Sequence, residues 1–255
     1  MATSLALHAL PGIPMVAAGD DLAALIQAAL ARAGLTLQPG DVLVLAQKIV
    51  SKAEGRIVDI ATVTPTPDAI ALAATTQKDP RMVQVILDQS VRVVRARPNL
   101  IIVEHKRGWI MANAGIDHSN VAPQDGAERV LLLPEDPDAS AEALRARLAP
   151  QVNGPLGIVI SDSFGRAWRR GTAGIAIGAA GLPALVDLRG NPDLFGRILE
   201  VSITGFADEI AAAASLLQGQ GDEAQPVILV RGLTWNQPAM GAANLVRPPS
   251  EDLFR

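Results

Sequence analysis

Three polar, glycine-punctuated segments hold most of the groups in this sequence that could do chemistry. Gln47-Lys48-Ile49-Val50-Ser51-Lys52-Ala53-Glu54-Gly55-Arg56 offers Lys48 and Lys52. Asn113-Ala114-Gly115-Ile116-Asp117-His118-Ser119-Asn120 offers Asp117 and Asn120. Ser161-Asp162-Ser163-Phe164-Gly165-Arg166-Ala167-Trp168-Arg169-Arg170-Gly171 offers Asp162, Ser163, Arg166, Arg169 and Arg170. Together these are the makings of a metal–polyphosphate site. Mg²⁺ and Mn²⁺ take oxygen ligands, commonly one or two carboxylates plus phosphate oxygens, and nearby Lys or Arg absorbs the remaining phosphate charge. Asp117, Asp162 and the Ser163 hydroxyl have the required ligand chemistry. Each segment alone has a plainer reading. An Asp behind a strand is more often a turn or helix cap, the arginines could form a solvated face, and Asp117 could simply stabilise the Gly115 turn. Three such segments in a chain with only 19% charged residues favour an anion or nucleotide site, and composition goes no further.

The familiar alternatives are missing. There is no G-x-x-x-x-G-K-[ST] loop, no strand-borne G-x-G-x-x-G and no G-x-S-x-G elbow, which excludes P-loop, Rossmann and hydrolase-elbow chemistry. Gly219-Gln220-Gly221 is too short a match, and Gly171, Gly174 and Gly178 fit close packing as well as ligand approach. His8, His105 and His118 lie in unrelated contexts; His118, beside Asp117, is the one worth testing. With no cysteine there is no disulfide, zinc–thiolate site, iron–sulfur cluster or thiol nucleophile. The net charge of 22 − 26 = −4 and pI near 5.4 argue against nucleic-acid binding. The N-terminus lacks the pattern of a secretory signal, and no run approaches the roughly 18 apolar residues of a membrane span. A cytoplasmic protein without nucleic-acid or membrane partners is expected.

Elements that could position these groups follow from spacing. Leu22, Leu25, Ile26 and Leu30 recur at helical period behind Asp21, with Gly34 as a stop. Val42–Ala46 is an unbroken apolar run of strand length, which suggests burial on both faces; the polar stretch from Gln47 then reads as a loop at a strand's carboxyl end, where α/β folds keep ligands. Helices are predicted near 68–76, from Pro80 to about 89, over 141–148 and over 207–217. Strands are predicted near 91–94, 100–103, 108–112, 157–160, 184–187, 199–204 and 227–230. Pro134–Asp138 is the best candidate boundary, but the mixture favours one α/β or α+β unit.

At these segments the sequence resembles the coenzyme F420-0:L-glutamate ligase family. The likeness rests on Gly40-Asp41-Val42-Leu43-Val44 followed by Ile49–Arg56, on Asn113–Val121, and on Ser161–Arg166 with Trp168–Gly171. It extends from Leu10-Pro11-Gly12-Ile13-Pro14 to Val230-Arg231-Gly232-Leu233. The resemblance implies a GTP-dependent amide ligase adding L-glutamate to the deazaflavin precursor F420-0, first on its lactyl carboxylate and then through a γ-glutamyl link, by way of an acyl phosphate. It implies Mn²⁺ or Mg²⁺, admits K⁺ as a helper, and implies an unusual two-lobed α/β (mixed α+β) fold forming an intertwined homodimer. Residues 1–255 would be one glutamyl-ligase domain without a fused flavin-reductase-like domain. The family's nucleotide contacts fall on Ile13, Pro14, Met15, Val16, Gln47, Lys48, Lys52, Asn120, Gln218, Gly219, Gln220, Gly221 and Asp222. Its metal ligands fall on Asp117, Asp162 and Ser163. Lys52 with Arg166 and Arg169 would hold the transferring group, or an arginine would anchor substrate carboxylates instead. The rival readings are a nucleotide-sensing relative without turnover, a ligase for another acceptor, and a scaffold whose polar loops merely solvate.

Overall fold

A computed structural model describes residues 4–117 and 128–253 of the chain. The chain runs β1 (Ala6–Ala9), α1 (Leu22–Arg32), β2 (Asp41–Ala46), α2 (Gln47–Ala53), β3 (Ile57–Asp59), α3 (Pro67–Thr76), α4 (Pro80–Asp88). It continues β4 (Ser90–Arg97), β5 (Leu100–His105), β6 (Ile110–Ala112), β7 (Arg129–Leu131), α5 (Pro137–Leu148), β8 (Leu156–Gly165), β9 (Thr172–Ala180). It ends β10 (Val186–Asp187), β11 (Ile203–Thr204), α6 (Phe206–Gln218), β12 (Val227–Arg231). This is the expected mixture of helices and buried strands.

The centre is a five-stranded sheet in the order β1-β12-β2-β8-β9. Its one parallel pair, β2 with β8, lies in the middle, and the other pairings are antiparallel. The apolar run in β2 now has its physical reason. Leu43 and Leu45 pack with α1 and α5 residues such as Ile26 and Leu148 on one face. Val42 and Val44 pack with Ala207, Ile210 and Ala211 of α6 on the other. A strand covered by helices on both faces has no solvent side to alternate towards. A separate cluster holds α3 and α4 against β5 and β7, through Ile60, Val83, Ile86, Ile101 and Val130.

Helix starts follow one local rule. Thr66, Asp79 and Asp136 each cap the helix that begins at the proline behind them, and their side chains accept the backbone N–H of Ala69, Arg81 and Ala139. Proline at the first helical position removes an N–H that would have no partner and presets φ. Asp21 likewise caps α1 by accepting from Ala24, and beyond Gly34 the Leu35 N–H closes on the Leu30 carbonyl at 2.9 Å.

β9 forms one edge of the large sheet, and two helices press on it through its glycines. A Cβ at Gly174 would stand 2.6 Å from the Ala211 carbonyl oxygen of α6, and one at Gly178 would overlap the Pro137 carbonyl and lie 2.8 Å from Pro137 Cβ. Packing therefore accounts for Gly178, and Gly174 both packs and lines the cavity described below. Gly178→Ala is expected to cost about 2–3 kcal/mol in denaturant unfolding, because backbone rather than a flexible side chain must yield. At the same edge the Asp208 carboxylate accepts the Ala176 N–H, and the Asp138 carboxylate accepts those of Ala179, Ala242 and Ala243, at 2.7–3.1 Å.

Two stretches read as loops are ordered otherwise. Gln47–Ala53 is a helix, and Ser161–Gly165 continues β8, paired with β9 beyond a register shift between Ile160 and Ser161. Polar residues there mislead because they face a cavity rather than bulk water. β1, β3, β7 and β9 escape the sequence reading: three of them are four residues or shorter, and β9 is rich in glycine and alanine, which carry no strand signature.

Candidate active site

Topology explains why distant segments meet. In the parallel β2–β8 pair Ala46 lies opposite Ser161, so the carboxyl ends of both strands reach the same edge of the sheet. β12 runs the other way and starts there, with Val227 opposite Leu45, which brings the loop leaving α6 to that edge. β1 ends there as well, Ala9 opposite Ile228, so Ile13–Val16 follow into the same place. Binding sites of open α/β sheets form at such carboxyl ends.

The result is a cavity of about 370 Å³. Its wall includes Ile13, Pro14, Met15, Val16, Gln47, Lys48, Lys52, Asp162, Ser163 and Gln218, Gly219, Gln220, Gly221, Asp222. Every residue read as a nucleotide contact lines it except Asn120, which lies outside the described residues, as does His118. Arg166 and Arg169 stand apart. They are exposed in the turn between β8 and β9, where the Arg169 N–H donates to the Arg166 carbonyl at 3.2 Å, and neither lines the cavity. Ser161 and the Ala224–Pro226 stretch also contribute, and sequence reasoning missed them; the signal available was position, since they border the strand ends that bear Asp162 and Val227.

Charge is arranged around two carboxylates: Asp162 in the cavity wall, and Asp117, which does not line the cavity and is joined to it through Lys48. Lys48 Nζ meets Asp117 Oδ2 at 2.6 Å. The main chain of Asp117 bridges Leu131 through two hydrogen bonds of 2.9–3.0 Å, so this residue is fixed by β7 and its side chain is turned to the lysine. The preceding turn needs Gly115: φ is +67°, and a Cβ would meet Met111 Cε at 2.6 Å and Leu133 Cδ1 at 2.7 Å. Asp162 Oδ1 accepts the Ser163 N–H at 2.8 Å, and Gln220 Nε2 donates to Ser163 Oγ at 2.8 Å, which orients the hydroxyl. Ser161 Oγ donates to Gln218 Oε1 at 3.2 Å, and Ser51 Oγ donates to Gln47 Oε1 at 2.9 Å.

Removal from water pushes the Asp162 carboxyl up to about 6; repulsion from Asp117 adds to this, while the Ser163 N–H and the Lys48 ammonium oppose it. Burial also lowers the Lys52 ammonium from its ordinary value, with Lys48 adding and Asp117 opposing. Desolvation thus disfavours the charged forms of both Asp162 and Lys52. A divalent cation with bound phosphates would relieve both. Among the described residues no group of three or more His, Cys, Asp or Glu converges, so the protein offers two carboxylates and a hydroxyl. That set fits a hard cation completed by phosphate oxygens and water.

Residues 12–232 match the F420-0:gamma-glutamyl ligase family. The chain belongs to that family. Among its relatives, the coenzyme F420:L-glutamate ligase of Methanothermobacter thermautotrophicus is 43% identical over 98% of this chain and 99% of its own length. That of Methanopyrus kandleri is 43% identical over 99% and 98%, and that of Halobacterium salinarum 40% over 97% and 94%. The F420-0:gamma-glutamyl ligase match runs from just after β1 through β12, and so includes every wall of the cavity. No helix among the described residues is long and apolar enough to cross a membrane.

Proposed function

We propose that the chain is a GTP- and divalent-metal-dependent ligase that joins L-glutamate to F420-0 and then adds γ-linked glutamate. The observation that carries this is the cavity in which the nucleotide-contact segments meet Asp162, Ser163 and Lys48, with Asp117 held to Lys48 at 2.6 Å.

Joining a carboxylate to an amine in water is uphill, so the carboxylate is activated first. An acceptor carboxylate oxygen attacks the γ-phosphorus, the bond to the β-phosphate oxygen breaks, and GDP leaves an acyl phosphate. The glutamate amine then attacks the acyl carbon, the carbon–oxygen bond to phosphate breaks, and the amine proton passes to solvent. Asp117, Asp162 and Ser163 would hold Mn²⁺ or Mg²⁺, which supplies neutralisation of phosphate charge. Lys52 places a buried cation against the transferring phosphoryl group, where low dielectric makes it count. Gln220 keeps the Ser163 hydroxyl aimed, and Ile13–Val16 offer an apolar wall to the base.

A homodimer belongs to the same reading. On the stretch between β10 and β11, Leu194, Phe195 and Val201 are 99%, 89% and 86% exposed. A second copy would cover these side chains.

The test is direct. Purified protein with F420-0, L-glutamate, GTP and Mn²⁺ should release phosphate and give a product heavier by glutamate units. Absence of both across Mn²⁺, Mg²⁺ and K⁺ would overturn the proposal, and a product carrying another amino acid would redirect it.

A further inference from the structure

The glycine-punctuated loop Gly219–Asp222 walls the nucleotide cavity, yet its setting is wrong for a phosphate cradle. Phosphate-binding loops lead into a helix N-terminus, where N–H groups and the positive end of the dipole meet the anion. This loop instead leaves the carboxyl end of α6, which stops at Gln218. Its N–H groups are also already engaged. The Gly221 N–H donates to Glu223 Oε2 at 2.8 Å. The N–H of Glu223 itself, with those of Gly221 and Gln220, holds this exposed carboxyl below its usual range.

Glu223 stands behind the wall. The residues lining the cavity pass from Asp222 to Ala224 without it. Its carboxylate lies over Gly219, where φ is +71° and a Cβ would overlap the carboxylate carbon and both oxygens. Glycine at 219 is thus required by a side chain four residues on as well as by its own backbone angle. Gln220, which does line the cavity, donates through its side-chain amide to Ser163 Oγ at 2.8 Å. One connected path therefore runs from the Glu223 carboxylate, through the backbone of Gln220 and Gly221, to the Ser163 hydroxyl beside Asp162.

We propose that Glu223 is a positioning residue of the nucleotide site: its carboxylate gathers loop N–H groups from outside the cavity and thereby fixes Gln220 against Ser163. The loop then contributes shape and the aim of one hydroxyl, and its N–H groups are not phosphate donors. The ligand of this site, though not the geometry, rests on the ligase reading above.

Ligand-free protein gives the first readout. The Gly221 amide hydrogen should exchange about tenfold faster in Glu223→Ala than in wild type, and Glu223→Gln, whose amide oxygen still accepts, should recover most of the protection. Equal exchange in wild type and Glu223→Ala overturns the proposal, whatever the protein catalyses. GTP titrated into the protein with Mn²⁺ gives the second. Its dissociation constant should rise about tenfold in Glu223→Ala but no more than roughly threefold in Glu223→Gln, with the KM for L-glutamate unchanged. Gly219→Ala separates seating of the carboxylate from general stability. It should weaken GTP binding in the wild-type background and do so less in Glu223→Ala, where no carboxylate remains to be displaced; the φ penalty at 219 is common to both backgrounds and cancels. Additive effects overturn the proposal, as does a KM for L-glutamate that rises as much as the GTP dissociation constant. Wild type that binds GTP but forms no product counts against the ligase reading alone, and wild type that binds no GTP overturns both.

Discussion

Asp162→Asn is expected to lower turnover about a thousandfold while nucleotide affinity stays within roughly tenfold. The amide keeps the size of the side chain and can still accept the Ser163 N–H, so the strand is undisturbed. What disappears is one of two carboxylates available to a hard cation, and with it the charge balance at the transferring phosphoryl group. Equal loss of turnover and binding would instead favour a nucleotide sensor. The same variant has a second, opposite readout without ligands. The wild-type carboxyl titrates at about 6 in the folded chain against 3.8 ordinarily, so the native state binds the proton more tightly than the unfolded one. Above pH 6 this ionised group destabilises the fold by up to about 3 kcal/mol; the penalty fades as pH falls through 6 and is gone near 4. Ligand-free Asp162→Asn should therefore melt higher than wild type at pH 8, and the gap should close by pH 4. A gap independent of pH would mean that the carboxylate is not strained by its surroundings.

Lys52→Met should reduce kcat about a hundredfold and raise the nucleotide KM, since a cation 8% exposed at the cavity wall is replaced by an apolar chain of similar length. The alkaline limb of the pH profile separates charge from packing. Burial and the neighbouring Lys48 hold the Lys52 ammonium below its ordinary value, so it loses its proton earlier than a solvated lysine as pH rises. Nucleotide affinity measured without turnover should fall over that range. Lys52→Arg, which stays charged, should retain part of the activity and move the fall to higher pH. An alkaline limb identical in wild type and Lys52→Arg would assign it to another group.

What could be read from the sequence divides along a physical line. Elements specified locally were legible: Asp21, Thr66 and Asp136 cap their helices, and the β2 run is buried on both faces. So were the cavity residues contributed by strand ends, through their resemblance to a family. Elements specified by their neighbours were not. Gln47–Ala53 looks like a loop because its polar face serves a cavity, and β9 looks like a linker because its glycines answer to Pro137 and Ala211, distant in sequence. Arg166 and Arg169 are exposed in the turn between β8 and β9 and do not line the cavity, so a dense basic run does not by itself tell where the fold places it.

The carboxylates that meet β9 also bear on how this edge of the sheet is closed to a further strand. β9 is the free margin of the large sheet, rich in alanine and glycine and nearly devoid of charge, the kind of strand that recruits another chain into an extended cross-strand array. Asp208 and Asp138 occupy its outward N–H groups at Ala176 and Ala179, and an incoming strand would have to displace a hydrogen-bonded anion at each. Solubility at that margin is thus set by two acidic side chains on helices, with no help from the strand's own sequence.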